Sequence, residues 1–248
     1  EPDYKGVFVM KLTQCFLTEN NCFKSGRRQQ VKAIMIHSIG ENQPWLRQYI
    51  GSSQGEFGDA PWNTAQPGGD NVCFHAFIGK DAQGIVRCCQ TLPWEMIGWH
   101  SGSGCLGYAQ NANNNGYIGL AVCGDALDDA VYFEAVYREI IELCAYLCCQ
   151  YQLNPLTDIL SHGEGYAQGI ASAHQDPRPW FYHPGQSMDD LRRDIQGVLA
   201  ARDVCHSHEK EIIQNHCQLD NPVAVFAYID QFVYAYGLYQ KWASSYEK

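Results

Sequence analysis

Short apolar runs bounded by glycine, histidine or turn residues alternate along this chain with a longer stretch of helical periodicity. Four runs have the length and the β-branched or aromatic content of buried strands, and they span residues 31–37, 72–78, 85–90 and 117–123. A helix follows, which Asp128 or Asp129 can cap and which Asn154-Pro155 ends. Its predicted apolar face consists of Phe133, Val136, Ile140, Cys144, Leu147 and Cys148. Strands interleaved with helices in this way predict an α/β fold.

The segment after this helix contains three further predicted features. Residues 158–161 are typical of a brief strand, and a glycine-rich loop then carries the chain from His162 to Asp176-Pro177. Ser187 starts another helix, because Asp190 follows it at the spacing of a capping box. Earlier in the chain, the asparagines of residues 111–114 indicate a turn-rich loop.

Residues 203–248 differ in character from the rest, because glycine becomes rare and short amphipathic helices with many aromatic side chains take over. We predict one domain over residues 1–202 and a small helical C-terminal module over residues 203–248. The aromatic side chains of the module could bind carbohydrate or a second copy of the chain. A small helical unit needs such side chains for its own core, which is the interpretation that we prefer.

Charge and hydropathy exclude two classes of partner. The formal net charge is -10 and no run of lysine or arginine occurs, so nucleic acid is not expected as a partner. No stretch has the length and apolarity of a membrane span. Hydrophobic residues make up 46% of the chain and charged residues 18%, which is enough apolar side chain for a packed core.

Twelve cysteines and a first residue that is Glu1 leave two interpretations open. A processed, exported chain would carry disulfides, whereas an intracellular chain would bury reduced cysteines as small hydrophobic side chains. Two cysteine pairs are adjacent in sequence, and no CxxC spacing occurs. A zinc finger or a thioredoxin-type redox site is therefore not expected.

Two of the nine histidines follow predicted strands directly. His37 and His162 stand where a strand meets a loop, and Asp176 lies fourteen positions after His162. A catalytic zinc site needs three nitrogen or oxygen ligands and one open position. Spacing alone leaves open whether these are metal ligands or ordinary hydrogen-bonded side chains.

The order of the motifs resembles a known family. The motifs are His37-Ser-Ile-Gly, Val72-Cys-Phe-His-Ala-Phe-Ile, Ile118-Gly119, Ser161-His-Gly-Glu and His174-Gln-Asp-Pro. Together with Gly98-Trp-His-Ser-Gly102 they resemble the N-acetylmuramoyl-L-alanine amidases, the family that also contains phage lysins and peptidoglycan recognition proteins. The similarity is greatest to prophage lysins and autolysins of clostridia, and it extends over nearly the whole chain.

The resemblance implies a central mixed β-sheet flanked by helices, with one Zn2+ per chain held by His37, His162 and Asp176. It also implies a function, cleavage of the amide between N-acetylmuramic acid and the L-alanine of the stem peptide by zinc-activated water. The family has a cationic side chain two positions before the last ligand, where it stabilises the oxyanion. Here that position is His174, and an imidazole can donate the same hydrogen bond.

The chain departs from the family at the position of the general base. Related lysins have Glu two places after the Ile-Gly of the third motif, where this chain has Ala121, and other branches have Tyr where it has Phe74. Losing a general base costs about 100- to 10,000-fold in rate. The alternative function is therefore a weakened amidase that binds peptidoglycan or muropeptide without cutting it. A scaffold without zinc would leave the ordered ligand set unexplained.

Three further residues are candidates for substrate contact. Trp99 and His100 precede a Ser-Gly-Ser-Gly stretch, and an aromatic ring on such a loop can stack on a sugar. His75 lies within an apolar run, so a buried imidazole is favoured over a place in the groove. For a peptidoglycan amidase we expect a secreted or cell-wall location, or a cytoplasmic lysin released at lysis.

Overall fold

The structure, a computed structural model, describes residues 12–40, 42–50, 62–64, 72–124, 128–182 and 185–201. The described residues as far as Val198 belong to one compact unit. The helical module predicted over residues 203–248 lies outside the described residues, so the boundary at residue 202 stays a prediction.

Six strands form one mixed sheet. They are β1 (Leu12–Gln14), β2 (Ala33–Ser38), β3 (Ala76–Lys80), β4 (Val86–Gln90), β5 (Tyr117–Val122) and β6 (Ile159–Ser161). Their order across the sheet is β1-β4-β3-β5-β2-β6, and only the β3–β4 pair is antiparallel. The side chains of Ile34 to Ile36 are fully buried, as expected for a central strand covered on both faces. The predicted mixed sheet is confirmed.

Helices cover the sheet. They are α1 (Asn21–Ser25), α2 (Ala130–Tyr151), α3 (His162–Ala167), α4 (Arg178–Tyr182) and α5 over residues 188–201. The Asp129 side chain caps α2 by accepting from the Tyr132 amide, and the helix packs on β3 and β4. All six side chains of its predicted apolar face are buried. Among the described helices, α2 included, none combines the length and apolarity that a membrane crossing requires.

The glycine-rich loop predicted after β6 begins instead with the helix α3. The Ser161 hydroxyl accepts from the Glu164 amide at 3.0 Å, and the Glu164 carboxylate accepts from the Ser161 amide at 2.7 Å. This capping box satisfies two free amides at the helix start. A Cβ at Gly165 would lie 2.6 Å from Cε of Met35, so this glycine lets α3 approach β2 closely. Close packing, rather than a loop, accounts for the glycine.

A buried arginine joins α5 to β6 and α3. The guanidinium of Arg192 donates to the Ile159 carbonyl at 2.8 Å and pairs with the Glu164 carboxylate at 2.5 Å. A buried charge is tolerated only when its hydrogen bonds are satisfied in this way. Because Glu164 also caps α3, this arginine supports the turn that carries His162.

The adjacent cysteines of β4 lie on opposite faces of the sheet, as alternate strand residues do. Cys88 is close to Cys144 of α2, and Cys89 packs on the other side with Tyr49 and Phe77. Both are fully buried, and burial raises the pKa of the Cys88 thiol well above its ordinary value. These two side chains fill the core as small hydrophobic groups.

Candidate metal centre and active site

The topology brings the two predicted histidine ligands together. Strands β2 and β6 are parallel neighbours, and their register pairs Ile36 with Ser161. The residue that follows each member of this pair in the chain is a histidine, so His37 and His162 lie side by side at the carboxyl edge of the sheet. Asp176 joins them because the amide of Gly163 donates to the Asp176 carbonyl at 3.1 Å.

The donor atoms of these three residues have the separations of a tetrahedral metal site. Nδ1 of His37 lies 3.1 Å from Nδ1 of His162 and 3.1 Å from Oδ2 of Asp176. Nδ1 of His162 lies 3.5 Å from Oδ1 of Asp176. Zinc bonds of about 2.0–2.1 Å at tetrahedral angles place ligand atoms about 3.3 Å apart. The three side chains therefore fit a zinc ion with one position left for water or substrate.

The protonation of the site also suits a cation. Burial lowers the pKa of His162 to about 4, so its ring is neutral at pH 7. Its Nε2 lies 3.1 Å from the Ser172 carbonyl, which can only accept, so Nε2 carries the proton and Nδ1 has a lone pair. Burial alone would raise the pKa of Asp176, but the neighbouring His37 and His162 outweigh it and lower that pKa. Electron pairs of an imidazole and a carboxylate thus converge, and a divalent cation satisfies both.

His174 lies on the open side of this cluster. Its ring centroid is 5.1 Å from that of His162, and its side chain is exposed to solvent. His37 and His162 are only 1% and 4% exposed, so His174 is the most accessible imidazole of the three. This placement suits a group that donates a hydrogen bond to a reacting carbonyl.

The two positions without a general base form an apolar wall beside the cluster. Ala121 pairs with His37 in the register of β2 and β5, so their side chains lie on the same face. The ring of Phe74 is 4.8 Å from that of His37, and both apolar residues pack in one cluster with Tyr49 and Phe77. A carboxylate at position 121 would be buried in this cluster at a considerable desolvation cost. The lysin-type base is thus replaced by a packed surface.

The predicted substrate contacts have three different placements. The Trp99 ring stacks on Tyr108 at 5.9 Å and lines a cavity of about 240 Å³ whose lining does not include His37, His162 or Asp176. His100 is 5% exposed, and its ring contacts His37 rather than solvent. His75 is fully buried, so neither histidine is placed to touch a substrate. The buried-imidazole interpretation of His75 fits this geometry.

Both ring nitrogens of His75 are hydrogen-bonded in the core. Nδ1 accepts from the Gly119 amide at 3.0 Å, and Nε2 donates to the Met96 carbonyl at 2.8 Å. Burial lowers the pKa of His75 from 6.5 to about 4. Between pH 4 and pH 6.5, the His75 side chain is protonated in the unfolded chain but neutral in the folded chain. The contribution of His75 to the free energy of unfolding is therefore fully present above about pH 6.5 and falls by roughly 3 kcal/mol as the pH drops to about 4.

Urea unfolding of the zinc-free protein between pH 4 and pH 7.5 measures this loss. The variant His75→Gln can still donate to Met96 but does not titrate, so we expect a lower stability at pH 7 and a shallower dependence on pH. The lowered pKa of His162 also makes the stability depend on pH, so the variant should retain part of that dependence. Equal slopes for the variant and the wild type would contradict the role of His75.

Two residues at the site were not predicted from the sequence. Ser172 accepts from His162 through its carbonyl, and its amide donates to the Ser101 carbonyl at 2.8 Å. Asn113 hydrogen-bonds to the backbone on both sides of His100. The run of asparagines was a usable signal for a structured loop, because their side chains bond to nearby backbone groups. Nothing in the sequence distinguishes Ser172.

Comparisons with known proteins agree with this fold. The family model "N-acetylmuramoyl-L-alanine amidase" matches residues 27–179, a span that contains His37, His162, His174 and Asp176. Among curated protein sequences, none is significantly similar to this chain.

Several solved structures share the fold. A mutant form of PlyL is 14% identical, with a TM-score of 0.52 over 75% of this chain and 99% of that one. The hydrolase AmiA of Staphylococcus aureus, solved in complex with its ligand, is 18% identical, with a TM-score of 0.51 over 77% and 84% of the two chains. The PlyG catalytic domain is 14% identical, with a TM-score of 0.51 over 77% and 96%. The chain belongs to the N-acetylmuramoyl-L-alanine amidase family, the peptidoglycan hydrolases that its sequence motifs predicted.

Proposed function

We propose that this chain hydrolyses the amide between N-acetylmuramic acid and the L-alanine of the stem peptide with one zinc ion held by His37, His162 and Asp176. The observation that carries the proposal is the convergence of two imidazoles and one carboxylate at separations of 3.1 to 3.5 Å. Family membership supplies the bond that is cleaved. The site of action that follows is the cell wall, reached by secretion or by release at lysis.

Each residue of the site has a different role in the proposed reaction. A zinc ion, when bound, supplies a Lewis acid that polarises the amide carbonyl and acidifies a water molecule. His37, His162 and Asp176 hold it, and the packed wall of Phe74 and Ala121 keeps that side of the cluster dry. His174 donates a hydrogen bond to the carbonyl oxygen as it becomes negative. The same imidazole can carry a proton to the leaving amine.

Digestion of purified peptidoglycan tests the proposal directly. We expect glycan strands without stem peptides, and stem peptides with a new N-terminal L-alanine, both identified by mass spectrometry. A zinc chelator should stop their release, and added zinc should restore it. Release that continues in the chelator, or cleavage at another bond, would contradict the proposal.

The second candidate function is binding of muropeptide without hydrolysis. It is favoured by one observation, the apolar wall that stands where lysins have a general base. In that case the protein sediments with cell walls, yet no new N-terminal alanine forms even at high protein concentration. The same digest therefore distinguishes the two functions.

A further inference from the structure

His100 lies behind the proposed metal site and contacts the ring of His37. Nδ1 of His100 lies 3.1 Å from Nε2 of His37, and the two rings meet edge to face with centroids 5.2 Å apart. On its far side, Nε2 of His100 lies 3.1 Å from the carbonyl oxygen of Tyr117. His100 thus connects the backbone of β5 to the ring of His37.

The two contacts of His100 determine which atoms carry protons. The Tyr117 carbonyl can only accept, so Nε2 of His100 donates to it. A neutral imidazole that carries its proton on Nε2 has a lone pair on Nδ1, which is the nitrogen that faces His37. Nε2 of His37 must then donate to that lone pair. His37 is left with Nδ1 as its metal-binding atom, which is the nitrogen that faces His162 and Asp176.

The backbone is shaped to hold His100 in this position. A Cβ on Gly119 would lie 2.4 Å from Cγ of His100, so the ring occupies a space that only glycine leaves open. The buried Asn113 carboxamide oxygen accepts from the amides of His100 and Ser101, both at 2.8 Å. Its nitrogen donates to the Gly102 carbonyl at 2.8 Å. The ring and the backbone of His100 are therefore held by different strands and loops.

We propose that His100 is a positioning residue, which orients His37 by accepting its Nε2–H and so directs Nδ1 to the metal. The inference rests on the proposed function, because it assumes that His37 is a ligand. It gives His100 a place behind the ligand instead of the substrate contact expected from its loop. Residues that orient a ligand in this way typically change metal affinity by about 10- to 100-fold when they are replaced.

Zinc affinity of the full chain, measured by competition with a chelating dye, tests the inference. His100→Leu keeps much of the volume but removes the acceptor, and we expect its zinc dissociation constant to rise by about 10- to 100-fold. His100→Asn places an oxygen near the position of Nδ1, so it should recover part of the loss. Gly119→Ala displaces the ring without removing it, and it should weaken zinc binding in a chain that keeps His100.

A spectroscopic measurement separates positioning from a general structural effect. In nitrogen-labelled wild type, the Nε2–H of His37 should give a slowly exchanging imidazole proton, and His100→Leu should abolish that signal. Leu147→Ala is the control for a general structural effect, because Leu147 is fully buried but lies on α2. Its zinc affinity should stay at the wild-type value.

The outcomes distinguish the inference from the function on which it rests. Wild-type affinity in His100→Leu, with the protected His37 proton retained, overturns the role of His100 alone. A wild-type chain that binds no zinc overturns the proposed metal site. In that case the His37 proton still shows whether His100 orients the ring. If His100→Leu does not fold, His100→Asn and Gly119→Ala supply the same comparison.

Discussion

Replacing Asp176 with alanine is expected to abolish stoichiometric zinc binding and to lower the rate of amide cleavage by at least about 1000-fold. The variant leaves two imidazoles, which is one ligand fewer than catalytic zinc sites use. A metal supplies several kcal/mol of transition-state stabilisation, and about 4 kcal/mol corresponds to a factor of about 1000. Metal analysis of the purified variant and the peptidoglycan digest measure the two effects separately.

Asp158→Asn is the matched control for this loss. Asp158 lies just before β6, at the end of that strand away from His162, and it accepts from the Asn154 amide, which an asparagine side chain can also do. Its zinc content and cleavage rate should equal those of the wild type. If Asp176→Ala keeps one zinc per chain and a rate within tenfold of wild type, the ligand set is wrong.

His174→Ala is expected to lower kcat by about 100- to 1000-fold while zinc affinity stays unchanged. This is the usual range for removing one hydrogen-bond donor to an oxyanion. The ring contacts His162 from the exposed side but lies outside the cluster of three possible ligands. Parallel measurements of kcat, KM and the zinc dissociation constant test the assignment, since a purely structural role would weaken metal binding as well.

A conservative variant sharpens the test of His174. His174→Lys supplies the cationic donor that is usual in the family, so it should recover activity to within about tenfold of the wild type. His174→Gln keeps only a neutral donor and should fall between lysine and alanine. Equal rates in the alanine and lysine variants would show that donation from this position does not contribute.

Much of the fold followed from periodicity that is visible in the sequence. The apolar face of α2 recurs every three or four residues over about four turns, and such a pattern predicts a helix in most contexts. The buried strands were found for the same reason, with shifts of a few residues at their ends. β1 was missed because it has three residues, none of them fully buried, and depends on pairing with β4.

The sequence prediction was wrong at α3 for a different reason. Gly163 and Gly165 suggested a loop, but a local signal for a helix was present in Ser161 and Glu164. The capping box stabilises this helix despite the two glycines, because Arg192, far along the chain, also binds Glu164. Such support from distant residues is not visible in a local pattern.

The candidate site was predictable only for the residues that the motifs contain, which are the three proposed ligands and His174. His37, His162 and Asp176 could be chosen because motif order places them, and the structure brings them together. The role suggested here for His100 depends on a contact across 63 positions and on the missing side chain of Gly119. No spacing rule contains that information, because it depends on how the segment that carries His100 packs against β2 and β5.

The first strand has a practical consequence for anyone who trims the chain. Residues 12–25 precede the span that matches the family, yet β1 pairs along the outer side of β4, and Leu17 and Cys22 pack into the core. A fragment starting at Arg27 would keep His37, His162 and Asp176 but expose the amides and carbonyls of β4 that pair with β1. Such open borders recruit strands from other molecules. Precipitation of the fragment would then result from the loss of β1 beside β4, and not from a defect in the candidate site.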